Sequence, residues 1–351
     1  MGDEANGGES MNADRMTVLT RPTMAQALRR AAVRATLAPS VHNTQPWRFE
    51  LGPQTLDIYS DSARRLGVLD TSGRQLLISC GSALFNARVS LAASGYDPIV
   101  HRLPDPARPS LVARLTVAPG GPAAGAGTDA ARAPLAALDA MVELRRTNRR
   151  RFETGVVPDD LVDLLEGAAA QESAVLFPIR STDDRIATAV LSQRADRHQN
   201  ADPAYRAELR AWTSNDPERE DGVPTFAVPS SGPAHDELPM RHFDATGSGE
   251  LPAQTQSSMN QCLVLLGTEQ DTPDAWIAAG EGLERVLLEI TRHGYSASPL
   301  TQVVETPSTR QALRKELHLA MHPHVLLRIG RADATPAPRR RRLVDMLRDT
   351  P

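Results

Sequence analysis

Cysteine, aromatic residues and long apolar runs are all scarce in this chain of 351 residues. Its two cysteines, Cys80 and Cys262, each sit inside an apolar run, which excludes a disulfide framework and predicts reduced core thiols in a cytoplasm. Aromatic residues make up 4% of the chain, the formal charge is -4 and the pI is near 6.2. A base-stacking surface and a global attraction to nucleic acid are therefore excluded, and any anion site must be local. The longest apolar run, Cys262 to Leu266, is far short of the roughly 20 residues a membrane-spanning helix needs, so a soluble protein is expected. Residues 1–23 lack the basic start and apolar stretch of a secretory signal, and their Gly, Glu, Asn and Asp content predicts a disordered lead-in.

What is present organises into two halves. The chain is long enough to bury a full core, as two domains or one two-lobed unit. Helical spacing runs from Met24 to Leu37 and stops at Ala38-Pro39, because proline disfavours helical geometry in the residue before it. Trp47, Phe49 and Leu51 alternate as a strand, a second follows through Leu56 and Ile58, and a long helix is predicted over Arg74 to Ala93. After a strand at Leu111 to Val117, the Gly/Ala/Pro-rich stretch 118–134 joins a first lobe (24–117) to a second (135–351).

The second lobe opens with helices from Leu135 to Arg145 and after Pro158, and a further helix spans Asp183 to Arg197. A polar insertion with seven prolines, residues 200–258, has the length of a functional lid. Beyond it come a strand at Cys262 to Gly267, an amphipathic helix carrying Trp276, Gly280, Leu283, Leu287 and Ile290 on one face, a helix at Thr309 to Leu317 and a strand at Val325 to Ile329. Helices and strands mix without regular alternation, so the fold class is α+β.

One segment carries most of the chemistry: Ala38-Pro39-Ser40-Val41-His42-Asn43-Thr44-Gln45-Pro46-Trp47. Ser40, Asn43 and Gln45 can bond to a ring edge or a polyol chain, and the prolines limit the conformations lost on binding. On the residues alone, a structured surface turn is the favoured reading of the same segment. Arg145 and Arg149, with Arg341 and Arg342, offer forked donors suited to phosphate oxygens; Arg339 and Arg340 read as surface charge.

The loop resembles the A-P-S-x-x-N-x-Q-P-W segment of FMN-dependent nitroreductases. Arg145-Arg146-Thr147-Asn148-Arg149 before Phe152 is similar to that family's R-x-S/T-x-R signature, and Arg341-Arg342-Leu343-Val344-Asp345 to its closing tail. In the family both motifs occur in one repeat. Here the first half keeps only the loop and the second only the arginines. The chain thus resembles the fused, lid-bearing Acg branch of actinobacteria, as do Asp70-Thr71-Ser72-Gly73-Arg74 and Asp221-Gly222-Val223-Pro224.

The resemblance implies two fused nitroreductase-like lobes, an internal pseudo-dimer acting as a monomer, with one FMN site per chain. It places Pro39, Ser40, Val41, Asn43 and Gln45, then Arg145, Thr147 and Arg149, then Arg341 and Arg342 at the flavin, with Pro299 and Leu300 near the ring's N5 edge. It also implies NAD(P)H as reductant and a nitroaromatic or quinone as acceptor, with no catalytic side chain. Thr301-Gln302 replaces the acidic-glycine pair usual after that proline, which opens two alternatives: an FMN-sequestering protein whose lid blocks turnover, and a specialised biosynthetic redox enzyme.

Other motifs give less. His318 and His322 lie one helical turn apart with His324 nearby, but no further ligand is near in sequence, so solvent-facing loop histidines are expected and no metal. Ser40 and His42 lack a nucleophile elbow, and Gly120 to Gly127 lacks the ending of a phosphate loop. Met240-Arg241-His242-Phe243 could cap a flavin or pack within its own loop.

Overall fold

The computed structural model describes residues 21–118, 132–149, 152–227 and 261–348, together with Leu238, Pro239, Arg241 and Phe243. The start of the expected lead-in, most of the Gly/Ala/Pro join and most of the second part of the insertion lie outside the described residues.

The first lobe runs α1 (Met24–Thr36), β1 (Trp47–Leu51), β2 (Thr55–Ser60), α2 (Arg74–Ala93), β3 (Ile99–Arg102) and β4 (Leu111–Thr116). A capping box between Thr23 and Gln26 starts α1, satisfying backbone donors at its open end. After α3 (Asp139–Leu144), the second lobe repeats the pattern with α4 (Asp159–Ala170), β5 (Val175–Pro178), β6 (Cys262–Thr268), α7 (Pro273–Arg292), β7 (Ser296–Pro299) and β8 (His322–Gly330). It adds α5 (Thr182–Ala201) and α6 (Pro203–Ala211) before β6, and α8 (Gln302–Glu305) and α9 (Pro307–Glu316) before β8.

Each lobe holds one antiparallel sheet of four strands, in the orders β1-β2-β4-β3 and β5-β6-β8-β7. The first, second, fourth and third strands stand side by side in both, so the lobes are pseudo-symmetric and the α+β expectation holds. Trp47 and Phe49 are buried while Arg48 between them is exposed, the period-two pattern of a sheet with one face in a core.

The lobes meet along α2 and α7, each 20 residues long. Gly81 and Gly280 face each other at the crossing. A Cβ on Gly81 would collide with the carbonyl oxygen of Ile277, and one on Gly280 with that of Ile78. Ser82 Oγ donates to Gly280 O at 3.0 Å, a further tie across the contact. By length and composition α2 could cross a membrane, against the sequence expectation, but 83% of its apolar window is buried: it is the central core helix.

Three strands and two helices, α6 and the four-residue α8, escaped the sequence reading. β3, β5 and β7 are four-residue strands at sheet edges, too short to show alternation. The insertion, expected as an irregular loop from residue 200, instead begins in helix: α5 continues to Ala201, and Asp202 caps α6 with Pro203 at its first position. The histidine expectation is corrected as well. His322 and His324 lie on β8, and His324 is fully buried beside Thr268 Oγ1 at 2.7 Å, because the strand begins earlier than its apolar run.

The C-terminal tail leaves the second lobe and closes on the first. Phe49 N donates to Met346 O at 2.9 Å, Arg348 N donates to Phe49 O at 2.8 Å, and Met346 is fully buried in the first core.

The helix crossing generates a prediction. Gly280→Val cannot be relieved by a side-chain rotation, since the obstacle is backbone, and it should lower unfolding free energy in urea by about 3 kcal/mol. Gly167→Val, where an added Cβ meets nothing within 4 Å, serves as the comparison and should cost well under half as much.

Candidate functional site

Between the lobes lies a cavity of about 120 Å³. Its apolar wall is Ile78 from α2, Leu283 and Leu287 from α7, and Val325 and Leu327 from β8. Its polar rim comes from the loop after α1, from the arginine motif and from the chain after β7. Asn148 N donates to Ala297 O at 3.0 Å and Thr147 bridges to Ala297, so the arginine motif runs alongside β7 as a short added strand and brings Thr147 and Arg149 to the cavity.

The loop is held in a costly shape. His42, Asn43 and Gln45 all have positive φ, at 48°, 54° and 49°, in the left-handed region that L-residues avoid. Local bonds offset that cost: Ser40 Oγ accepts from Gln45 N at 2.9 Å, and Asn43 N donates to Ser40 O at 2.9 Å. The result turns His42 onto the cavity wall. Its two ring nitrogens are buried and make no hydrogen bond, as is Gln75 Nε2 on the same wall.

Among the described residues three arginines, Arg146, Arg149 and Arg241, line the cavity and no carboxylate does. Burial and Arg241 pull Arg149 down to about 10, and burial with both cations holds His42 well below its usual value, neutral at pH 7. Arg241 and Phe243 come from the insertion and line the same cavity. Phe243 meets His42 edge-on at 5.6 Å between ring centroids, and Arg241 binds Glu305 at 2.5 Å with both side chains buried.

Behind the loop lies a second cationic group. Arg145 and Arg340 both donate to Leu37 O, and Arg340 Nη1 donates to Asn43 Oδ1 at 2.8 Å. Burial, Arg145 and Arg146 pull Arg340 down to about 9. The nearest carboxylate is Glu284, fully buried, with one oxygen 3.4 Å from Arg145 Nε. Burial pushes Glu284 up to about 7, against the pull of Arg145 and the neighbouring Asn86.

In Mycobacterium tuberculosis H37Rv a protein provisionally named an NAD(P)H nitroreductase is 33% identical over 327 residues, covering 91% of this chain and 90% of its own length. A second, provisionally named the NAD(P)H nitroreductase acg, is 30% identical over 302 residues, covering 86% and 88%. This chain belongs to the nitroreductase family, in the branch that includes Acg. No family model matches it. Among solved structures, a provisionally named nitroreductase from Anabaena variabilis is 11% identical with a TM-score of 0.48, covering 88% of each chain.

Seven residues singled out in the sequence line the cavity of this nitroreductase relative: Pro39, Ser40, Val41, Thr147, Arg149, Pro299 and Leu300. Five do not. Asn43 and Gln45 spend their side chains as fasteners, Asn43 Nδ2 donating to Gly222 O at 3.0 Å and Gln45 Nε2 to Glu220 O at 2.9 Å. Arg145 sits in the wall behind, against Glu284. Arg341 is tied to Gln45, its backbone N donating to Gln45 Oε1 at 2.9 Å, and Arg342 is exposed and pairs with Asp345 three residues on. Arg340, read as surface charge, takes the inward place instead, because the tail turns there to meet Asn43. His42 as a wall residue, Gln75 and Arg146 were not found, and only the position of Arg146 between two motif arginines gave a signal; Arg241 and Phe243 belong to the segment that the sequence offered as a flavin cap, and both line the cavity.

Pseudo-symmetry locates a second place for such a cavity, and it is filled. Counting from Gly81 in α2 and Gly280 in α7, Glu281 corresponds to Ser82 and Arg88 to Leu287, while Arg102 on β3 corresponds to Pro299 on β7. Arg88 binds Glu281 at 2.7 Å and Glu172 at 2.5 Å, Arg102 binds Glu281 at 2.6 Å, and Arg285 binds Glu172 at 2.7 Å. Charged side chains thus occupy one position while their small or apolar counterparts leave the other open.

The buried carboxyl gives a pH test. Between its ordinary 4.5 and about 7 the folded chain keeps a proton on Glu284 that the unfolded chain has lost. Its contribution to stability therefore falls as pH rises through that window and is constant above it. Relative to the parent, Glu284→Gln should gain about 3 kcal/mol across the window in urea unfolding; a difference that does not change with pH would show that the carboxyl is not raised.

Proposed function

We propose that the chain is an FMN-dependent oxidoreductase of nitroreductase type, reduced by NAD(P)H and reoxidised by a small acceptor such as a nitroaromatic or quinone. The observation that carries this reading is the cavity: among the described residues, an apolar wall, unpaired buried polar atoms at His42 and Gln75, three arginines and no carboxylate. Those features fit a flat heterocycle with a polar edge and an anionic tail. The relatives' names, NAD(P)H nitroreductases, support the same activity.

When bound, the flavin supplies the hydride chemistry, so no side chain is needed as acid or base. The chain's residues do the rest. Pro39 to Val41, Gln75 and His42 hold the ring edge, and Leu283, Leu287, Val325 and Leu327 exclude water. Arg149 favours added negative charge in the cavity, Arg146 on its wall faces a phosphate, and Arg145 and Arg340 add positive potential from behind the loop. Arg341 and Arg342 support the tail rather than the ligand. Because both lobes build the cavity and the equivalent position is filled, one FMN per monomeric chain follows. A cytoplasmic location belongs to the same reading, supported by the free thiols Cys80 and Cys262.

The lid supports a second reading. Arg241 is held by Glu305 and by Tyr205 Oη at 2.5 Å, so Arg241 and Phe243 line the cavity through a fixed contact. A protein that sequesters FMN would be built this way.

Extraction of the reconstituted protein should yield one FMN per chain; two, or none, would sink the single-site reading. Anaerobic stopped-flow with NADH and NADPH then separates the functions. Bleaching within seconds by the intact chain establishes the oxidoreductase. Slow bleaching that quickens in an Arg241→Ala, Phe243→Ala variant establishes sequestration, and slow bleaching in both removes the nicotinamide.

A further inference from the structure

Beyond the contact of Arg241 with Glu305 lies a second cleft, of about 470 Å³. Arg241 lines the first cavity, while its partners Tyr205 and Glu305 line this one, so one cluster separates the two. The cleft opens onto the amino ends of α2 and α9. Both helices carry cations where their own dipoles disfavour them: Arg74 is the first residue of α2, and Arg310 lies at the start of α9 with Arg314 one turn further on. Among the first-turn residues of α9 there is no acid, and Thr306 makes no side-chain cap.

Four carboxylates share the cleft wall, and each is already committed. Asp70 accepts from Gln75 N and Leu76 N at the start of α2, and Asp202 accepts from Ala204 N at the start of α6. Asp271 takes Arg310 at 2.7 Å and the Trp276 indole N–H at 2.6 Å, and Glu305 takes Arg241, Thr301 and Gln199. Donors are left over. Arg74 is 8% exposed, and its Nε is buried without a partner although Nη2 reaches Val304 O. Arg314 shows one bond, to Ala320 O at 3.1 Å. Burial and Arg310 pull Arg74 down to about 10, against the pull of Asp271, Asp70 and Glu305. Trp276, half-buried with its N–H tied back, adds an aromatic surface.

We propose that this cleft binds a phosphate-bearing nucleotide, its phosphates meeting Arg74, Arg314 and the open end of α9 and its base lying against Trp276. Forked guanidinium donors and a free helix amino end suit phosphate oxygens, and an aromatic surface suits a base. The natural occupant is the adenosine-phosphate half of the dinucleotide reductant, an identity that rests on the proposed redox activity; the phosphate site itself does not.

The test is calorimetric titration of ADP, adenosine and inorganic phosphate into the FMN-loaded chain, whose first cavity is already filled. ADP should bind, at least about tenfold more tightly than adenosine or phosphate alone, and more weakly as salt rises. Arg314→Gln, at a half-exposed position that leaves no buried gap, should weaken ADP at least about tenfold, and Arg314→Lys should restore part of the loss. No ADP binding, or equal binding by the parent and Arg314→Gln, overturns the cleft. Adenosine as tight as ADP overturns the phosphate contact, and inorganic phosphate as tight as ADP overturns the nucleotide. ADP binding by a chain whose flavin NAD(P)H does not bleach leaves the site standing and the redox reading fallen.

Discussion

Everything in this molecule hangs from the place where α2 and α7 touch without side chains between them. Gly81 and Gly280 let each backbone approach the other's carbonyl, at Ile277 and Ile78, closer than any Cβ would permit. That contact sets the separation of the two sheets and hence the width of the cavity bounded by Ile78 on one helix and Leu283 on the other. A wider crossing would let water in beside the wall. A narrower one is excluded by the backbone itself.

Pseudo-symmetry offers two cavities at this crossing, and the side chains decide between them. A ring of arginines and glutamates closes one position, with Glu281 fully buried and Glu172 nearly so. Such buried ion pairs contribute little net stability, because desolvation offsets most of the attraction, but removing one partner would strand a buried charge. The network is thus better understood as a plug than as a brace. Among the described residues the open position concentrates arginines without carboxylates, in a chain whose overall charge is negative.

The insertion is joined to this arrangement by a small number of strong contacts. Gly222 O and Glu220 O accept from Asn43 and Gln45, which ties the insertion to the loop that shapes the rim. Arg241 and Glu305 tie its far side to the second lobe. Loop, insertion and C-terminal tail therefore form one hydrogen-bonded unit over the cavity, and a displacement of any one is felt by the others.

The sequence by itself determined the elements and the family resemblance. Helical spacing placed α2 to the residue and α7 within a turn, and the loop from Ala38 to Trp47 with the motif from Arg145 to Arg149 marked both rims of the cavity. These features are local: they depend on residues a few positions apart, whose pattern is visible in one dimension. Edge strands such as β7, which is Ser296-Ala297-Ser298-Pro299, carry no such pattern and acquire their structure from the neighbouring strand. Only the tertiary structure decided that Asn43 and Gln45 fasten the insertion, that Arg340 turns inward where Arg342 stays exposed, and that His42 and Gln75 present unpaired atoms to the cavity. Those outcomes depend on partners far along the chain, as when Arg340 meets Asn43. Nothing in the identity or spacing of an arginine says which distant carbonyl or amide it will reach; the packing of α2 against α7 settles that.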